Sequence, residues 1–403
     1  MKKISWIHLL ISVSFLFLTV WFSISNFQVI SGSISDLLEN RCTLREFIEN
    51  ITADFKSADL FHKDDLITLN GLYGRLSGRR YYNNIILLNN GMLTGDDISL
   101  KQNQEGIDIR TTSILSFKNY ISELGGYFLF VQLPSKYDMK NELMPQGYSS
   151  QIPQDTEILM NAFEYSGIEL IDMLPDLSQT GEDIETNFYR TDHHWKPTAA
   201  FKTFQRIIQH LQKIYPEENY GTFITDQNNW TVHEIPNQFL GSRGKRVGQL
   251  FSGMDSLEWL TPNFETNLYF YIPHLNSFYS GSYEHVFIRD EYTKPDNEKL
   301  HKNHYVIHVG EDYPLTISRN MNSLSEQKLL LIKDSFDLPL LTYLSLIFHD
   351  VHVIDPRHYK SSSIYDYVAQ FKPDIVIMAI TSTSLTDYEY FHLSNGENPF
   401  LHD

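Results

Sequence analysis

The stretch Lys328–Phe336, KLLLIKDSF, decides the fold of this chain. Its apolar part, Leu329–Ile332, is a short continuous run of the kind found in strands that are buried on both faces of a parallel sheet. A helix is predicted directly after it, over residues 336–348, so Ser335 lies at the turn between strand and helix. Ligands of open α/β sheets bind at the carboxyl ends of the strands, which makes Ser335 a candidate site residue.

Strands and helices alternate on both sides of a long central region. Tyr127–Leu133, YFLFVQL, is a second apolar strand, and residues 351–354 and 375–380 are predicted strands after the Ser335 helix. This alternation predicts one three-layer αβα domain with a mainly parallel sheet over residues 73–403. Residues 215–300 are predicted to be an irregular or β-rich insertion, with strand-like runs LYFYI (268–272) and HVFIR (285–289).

An uncharged apolar segment, residues 4–25, lies near the start of the chain. Its length corresponds to about 33 Å of helix, enough to cross a bilayer core of about 30 Å. Lys2 and Lys3 precede it and the next basic residue is Arg41, which predicts a cytoplasmic start and an extracytoplasmic domain. We therefore expect a single-pass anchor over residues 1–26 and a stalk over 27–72. The alternative is a signal peptide cleaved near Ser31–Ser33.

Composition narrows the function classes. The chain has 403 residues and a formal net charge of −18, which argues against nucleic acid as a partner because phosphate backbones require clustered Lys and Arg. The 42% hydrophobic content suffices for a sizeable core. Cys42 is the single cysteine, so neither an intramolecular disulfide nor a Cys-based zinc site is available.

Thr191–Trp195, TDHHW, is the first stretch with residues suited to catalysis. An acid two residues before a histidine can hold one ring nitrogen and leave the other free to take a proton from a nucleophile. Two other interpretations stay open on spacing alone. The acid and the histidines are either satisfied locally near a helix start or are ligands of a metal ion.

Ser335 is the second candidate. Its backbone N–H, at a helix start, could help to stabilise an oxyanion. Alternatively, Asp334 or Ser335 only caps the helix.

TDHHWKPTAA followed about 140 residues later by KLLLIKDSF resembles the DHHW family, which is grouped with SGNH-hydrolase-like proteins related to alginate O-acetyltransferases. Further stretches over residues 75–385 support the resemblance, namely FLFVQLPSK (128–136), FLGS (239–242), the region from His304-Tyr305 to Leu315–Ile317, VIDPR (353–357) and KPDIV (372–376).

The resemblance implies a triad of Ser335 as nucleophile, His194 as base and Asp192 as the residue that orients it. The N–H groups of Ser335 and Gly241 would then form the oxyanion hole. Trp195 would line the site or stack on a sugar. Arg357 would either contact the substrate or form a structural ion pair. His193 is expected to be structural, with an exchange of roles with His194 left open.

Two positions depart from the superfamily pattern. Lys333 stands where a glycine usually precedes Asp-Ser, and Asp337 leaves no counterpart of the oxyanion-hole asparagine.

The resemblance implies an O-acetyltransferase or esterase that acts on a cell-surface or secreted polysaccharide through an acetyl-serine intermediate. A membrane-bound O-acyltransferase partner would supply the acetyl group, and no cofactor is expected. The alternative is a non-catalytic protein with the same fold that binds glycan or serves as a scaffold in an export complex.

Overall fold

A computed structural model gives the fold, and it describes residues 13–14, 16–17, 19–21, 23–24, 26–39, 41–57, 63–96, 103–137, 143–178, 180–296 and 300–393. Most of the predicted membrane segment, residues 4–25, lies outside the described residues. Within the described ranges, no helix is both long and apolar enough to span a membrane. The chain divides into two compact units, residues 1–70 and 71–403.

The first unit is helical where it is described. It contains α1 (Phe27–Leu38) and α2 (Leu44–Ser57), and α3 (Lys63–Leu76) begins within it. Glu46 and Thr43 cap the start of α2 reciprocally, because the Glu46 carboxylate accepts the Thr43 N–H at 2.7 Å and the Thr43 hydroxyl accepts the Glu46 N–H at 3.3 Å.

The second unit combines strands and helices. Its strands are β1 (Tyr81–Tyr82), β2 (Ile85–Leu87), β3 (Leu93–Gly95), β4 (Tyr127–Leu133), β5 (Leu170–Asp172), β6 (Trp230–Phe239), β7 (Asp255–Pro262), β8 (Leu268–Ile272), β9 (Ser277–Gly281), β10 (Leu315–Asn320), β11 (Ser325–Lys333), β12 (Phe348–Ile354) and β13 (Ile375–Thr381). Its helices are α4 (Gln104–Glu123), α5 (Ile152–Tyr165), α6 (Leu174–Leu177), α7 (Gly181–Asn187), α8 (Pro197–Ile214), α9 (Thr222–Thr225), α10 (Ser242–Val247), α11 (Gln249–Ser252), α12 (Tyr283–Phe287), α13 (Leu338–Leu344) and α14 (Ile364–Phe371).

The main sheet confirms the predicted α/β architecture. Its eight strands follow the order β5-β4-β13-β11-β12-β10-β8-β9. The five strands from β5 to β12 pair in parallel, and the other three add antiparallel pairs at one side. The carboxyl ends of β4, β11 and β13 therefore meet at one edge of the sheet.

The central strands are buried on both faces, as their apolar runs predict. Leu329 and Leu331 of β11 face one core, which α8 and α13 complete. Leu330 and Ile332 face the opposite core, which α4, α5 and α14 complete. This alternation of successive side chains across β11 produces the three αβα layers.

The central region differs from its predicted description in two respects. The LYFYI run is strand β8, and with β9 it extends the main sheet rather than forming a separate insertion. Of the HVFIR run, His285–Phe287 belong to helix α12, because the Ser282 hydroxyl caps the His285 N–H and starts a helical turn there. The strands β6 and β7 form a two-stranded antiparallel sheet of their own.

Candidate active site

Ser335 lies directly after β11, at the first residue of a short 3-10 turn. Asp334 fixes this turn to the end of β13. Its carboxylate accepts the Phe336 N–H at 3.0 Å, both the N–H and the hydroxyl of Thr381 at 2.8 Å, and the Ser384 hydroxyl at 2.6 Å. The Asp334 side chain is thus held on every side, and the serine is presented at the carboxyl edge of the sheet.

The loop that carries TDHHW is held just as firmly before it enters α8. Asp255 accepts the backbone N–H groups of Arg190 and Thr191 at 2.8 and 2.7 Å, and the Thr191 hydroxyl at 2.6 Å. From the other side, the amino group of the buried Lys136 donates to the carbonyls of Tyr189 and Arg190 at 2.7 and 3.2 Å. The loop conformation is therefore set before any substrate arrives.

Asp192, His194 and Ser335 form one hydrogen-bonded line. The His194 Nε2 lies 2.9 Å from the Ser335 Oγ, and the His194 Nδ1 lies 2.5 Å from the Asp192 Oδ1. Asp192 also accepts the backbone N–H groups of His194 at 3.0 Å and Ser242 at 2.5 Å. Burial favours the neutral acid, but the neighbouring histidines and these hydrogen bonds hold the pKa of Asp192 well below its usual range.

His193 has a different environment from His194. Its Nδ1 lies 2.8 Å from the Ser242 Oγ, and its ring packs against the His194 ring with centroids 3.7 Å apart. His194, not His193, therefore contacts the serine. Burial, together with repulsion from His194 and Arg243, lowers the pKa of His193 well below its usual value.

Tyr305 is a functional neighbour to which the sequence assigned no role. Its ring stacks on the His194 imidazole, with centroids 3.8 Å apart and planes only 6° from parallel. Its hydroxyl donates to the Phe336 carbonyl at 2.7 Å. One side chain thus contacts both His194 and the turn that carries Ser335. No spacing pattern could reveal this, because Tyr305 lies far from both elements along the chain.

One of the two roles predicted for Trp195, stacking on a sugar, is wrong. The side chain is fully buried, and its Nε1 donates to the Phe336 carbonyl at 2.7 Å. It cannot stack on a sugar, because the ring has no exposed face. Its contact instead ties the histidine loop to the serine turn.

The predicted role of Gly241 as an oxyanion donor is also wrong. Its N–H donates to the Thr191 hydroxyl at 2.8 Å and is therefore occupied. The absence of a side chain matters instead, because a Cβ at this position would overlap Asp192. Among the described residues, none accepts the Ser335 N–H at hydrogen-bond distance, so that group remains the candidate oxyanion donor.

Arg357 forms the structural ion pair that was one of its two predicted roles. Its guanidinium binds the Asp355 carboxylate with two contacts, at 3.0 and 2.7 Å. Asp355 in turn lies 3.5 Å from the Lys333 Nζ, which also pairs with Asp312. Lys333, the residue in place of the usual glycine, is thus part of a four-residue ion network two positions before the serine.

The histidine loop also groups three potential metal ligands. One ligand atom from each of Asp192, His193 and His194 lies within 4.8 Å of the others. The Nδ1 atoms of both histidines are already hydrogen-bonded, to Ser242 and to Asp192, and the His194 Nε2 lies at the Ser335 Oγ. A metal ion bound by both histidines would therefore displace at least one of these hydrogen bonds of His194.

The fold is an α/β fold of the SGNH hydrolase-like kind, with a mainly parallel central sheet. Residues 92–235 match the family described as SGNH hydrolase-like domain, acetyltransferase AlgX. This match covers less than half of the chain and includes the TDHHW loop but not Ser335. A search of curated proteins found no significant match.

Solved structures share the fold. PatB1 of Bacillus cereus, in a structure with a sulfonyl adduct, has a TM-score of 0.63 and 19% identity, covering 78% of this chain and 99% of that one. A DHHW family protein from Eubacterium siraeum has a TM-score of 0.56 and 16% identity, covering 77% and 94%. The resemblance to DHHW and alginate-acetyltransferase proteins is thereby confirmed.

Proposed function

We propose that this protein is an O-acetyltransferase or esterase that acts on a polysaccharide through an acetyl-Ser335 intermediate. The observation that carries the proposal is the hydrogen-bonded line from Ser335 through His194 to Asp192. The family match over residues 92–235 supports acetyl transfer as the reaction class.

Each residue of the line has one role in the first half-reaction. The Ser335 Oγ attacks the acetyl carbonyl of the donor while its proton passes to the His194 Nε2. Asp192 keeps the other ring nitrogen protonated and stabilises the imidazolium. The Ser335 N–H donates to the developing oxyanion. The leaving group then takes the proton from His194, and the acetyl ester of Ser335 remains.

The second half-reaction uses the same residues, with the proton transfers in the opposite direction. His194 accepts the proton of an acceptor hydroxyl, whose oxygen attacks the acetyl-serine carbonyl. Collapse of the intermediate returns the proton to the Ser335 Oγ and releases the acetylated acceptor. A sugar hydroxyl gives transfer and water gives hydrolysis, so the choice depends on which nucleophile occupies the site.

The proposal includes a location and a partner. The uncharged segment over residues 4–25, with lysines only on its N-terminal side, supports an anchor that leaves the domain outside the membrane. The family resemblance supports a membrane-bound O-acyltransferase as the source of the acetyl group. Fractionation and protease accessibility on intact cells test the location. Co-purification with such a protein tests the partner.

Trapping of the acetyl-enzyme tests the reaction. With p-nitrophenyl acetate, the full-length protein should gain one acetyl group on Ser335 by mass spectrometry. Ser335→Ala and His194→Ala should each lower acetyl release on the order of 10³-fold or more, because triad members act as a unit. Ser122→Ala and His285→Ala, both on exposed helix positions, are the matched controls.

Three other outcomes would redirect the proposal. Loss of acetyl release in His193→Ala but not in His194→Ala would mean that the base is misassigned. Loss after treatment with a chelator, with recovery on adding a divalent metal, would favour the metal site. Normal folding without acetyl-enzyme in the unchanged protein would favour the non-catalytic, glycan-binding alternative.

A further inference from the structure

A cleft of about 290 Å³ lies next to the proposed nucleophile. Phe336, the residue after Ser335, forms part of its wall, and so does His193, whose ring packs on His194. Arg243 and Arg246, one turn apart along α10, also line it. The cleft therefore lies beside the turn that carries Ser335, although Ser335 is not one of its lining residues.

Arg243 is a buried cation without an acidic partner. The residue is only 8% exposed. Its Nη1 donates to the Leu93 carbonyl and its Nη2 to the Tyr137 hydroxyl, both at 3.2 Å, and its guanidinium lies 5.2 Å from the Tyr137 ring centroid. All of these partners are neutral. Among the described residues, no carboxylate lies within ion-pair distance of it, although buried charges in proteins are normally paired.

The one acid among the lining residues, Asp96, forms no ion pair with Arg243. Arg246 is exposed and has no ion pair with any described residue. Asp96, the acid of the cleft wall, accepts the Tyr81 hydroxyl at 2.7 Å. Behind the cleft, burial and repulsion from Arg243 hold the pKa of Lys136 well below its usual range. The cleft lining therefore carries two guanidinium groups against the single carboxylate of Asp96, in a chain whose net charge is −18.

We propose that this cleft binds an anionic group of the acceptor, a carboxylate or a phosphate carried close to the hydroxyl that is acetylated. Arg243 is the fixed donor at the base of the cleft, and Arg246 closes on the anion from its exposed side. A guanidinium binds either group through paired N–H donors, which sets the orientation of the sugar as well as its affinity. The inference rests on the proposed function, since it names the substrate class for the same serine.

The test compares matched charged and neutral acceptors on the full-length protein. Oligogalacturonate supplies carboxylates, its methyl ester is the neutral counterpart, and a phosphorylated cello-oligosaccharide is compared with the unmodified one. Calorimetry without acetyl donor gives the dissociation constants. We expect at least one charged probe to bind about tenfold or more tightly than its neutral partner, the effect of one charge-assisted hydrogen bond. The pair that shows the preference identifies carboxylate or phosphate.

Arg246→Gln should lower the ratio of the two dissociation constants, neutral probe to charged probe, about tenfold. It lies on the surface, so its loss leaves no cavity. Lys245→Gln makes the same charge change one position away, outside the cleft lining, and should keep the preference. Equal binding of charged and neutral probes, absence of binding by both charged probes, or an unchanged preference in Arg246→Gln would overturn the inference.

Acetyl-enzyme formation from p-nitrophenyl acetate, measured in parallel, needs no acceptor. If it fails while the charge preference holds, the proposed reaction is wrong and the anion-binding cleft stands. If it succeeds without a charge preference, only the cleft inference is wrong.

Discussion

Two clusters of cationic residues lie near the serine turn, Lys333 with Arg357 and Arg243 with Arg246, and they differ in how their charge is balanced. Lys333 is 2% exposed and pairs with Asp312 and Asp355, and Asp355 also binds Arg357. Arg243 is also buried, yet among the described residues it contacts only neutral oxygens and an aromatic ring.

The difference separates a structural role from a binding role. Removing a charge from water is costly unless an opposite charge compensates for it. The Lys333 cluster compensates internally, so it can hold the end of β11 without a ligand. The Arg243 cluster is left with excess positive charge that faces a cleft. In this molecule the charge of Lys333 is balanced within the fold, whereas no described carboxylate pairs with Arg243, as the proposed anion-binding cleft requires.

The largest effect is expected from Lys333→Met. This change leaves Asp312 and Asp355 near an apolar side chain, with Arg357 alone to compensate for them. Breaking a buried ion pair from one side lowers the free energy of unfolding by about 3–5 kcal/mol. Denaturant unfolding of the variant measures it. Adding Asp312→Asn should recover part of the loss, and no recovery would mean that the pair is not the cause.

A smaller effect is expected from Arg243→Met. The change removes two hydrogen bonds to neutral acceptors and leaves no unpaired carboxylate, so unfolding should become easier by only about 1–2 kcal/mol. The same denaturant measurement gives the value. A loss as large as that of Lys333→Met would contradict the comparison, because it would mean that Arg243 is also compensated within the fold.

The smallest expected effect is a change in how the free energy of unfolding depends on pH, and its direction can be predicted. Burial favours the neutral acid, but Lys333 holds the pKa of Asp312 below its usual range, and this stabilisation is lost only as the pH falls below about 4. The Lys333 pKa is raised despite burial, so its contribution persists until the pH rises above about 10.

In Lys333→Met the pKa shift of Asp312 between the unfolded and the folded state should reverse its direction. Burial without the lysine raises the pKa of the carboxyl group above its unfolded value, and the folded state then binds more protons. The variant should therefore gain stability as the pH falls from 7 to 5, whereas the unchanged protein should not. Denaturant unfolding at pH 7, 6 and 5 gives the free energy of unfolding of both proteins. If the two values changed with pH in the same way, the assignment of the shift to the Lys333–Asp312 pair would be contradicted.

Local sequence patterns predicted the central strands and the two site segments. The apolar run before Ser335 allows little besides a buried strand, and Asp-x-His is short enough for its own backbone to set the contact between Asp192 and His194. Contacts between distant segments could not be predicted. The Thr191 hydroxyl accepts the Gly241 N–H, and the buried Trp195 ring donates to the Phe336 carbonyl. Both contacts join residues that are far apart along the chain and become neighbours only when it folds.

The Phe336 carbonyl joins these distant segments, since it accepts both the Trp195 Nε1 and the Tyr305 hydroxyl. The Trp195 contact spans 141 positions, the same separation as that between His194 and Ser335. Contacts between segments so far apart along the chain slow folding, because the entropy of loop closure is lost before the contact stabilises the chain, and we expect these contacts to form late. A partly folded chain would hold the serine without its base. We therefore expect Ser335 to react with esters only when refolding is complete. Ester reactivity, measured during refolding, would then report how much of the protein has reached the native state.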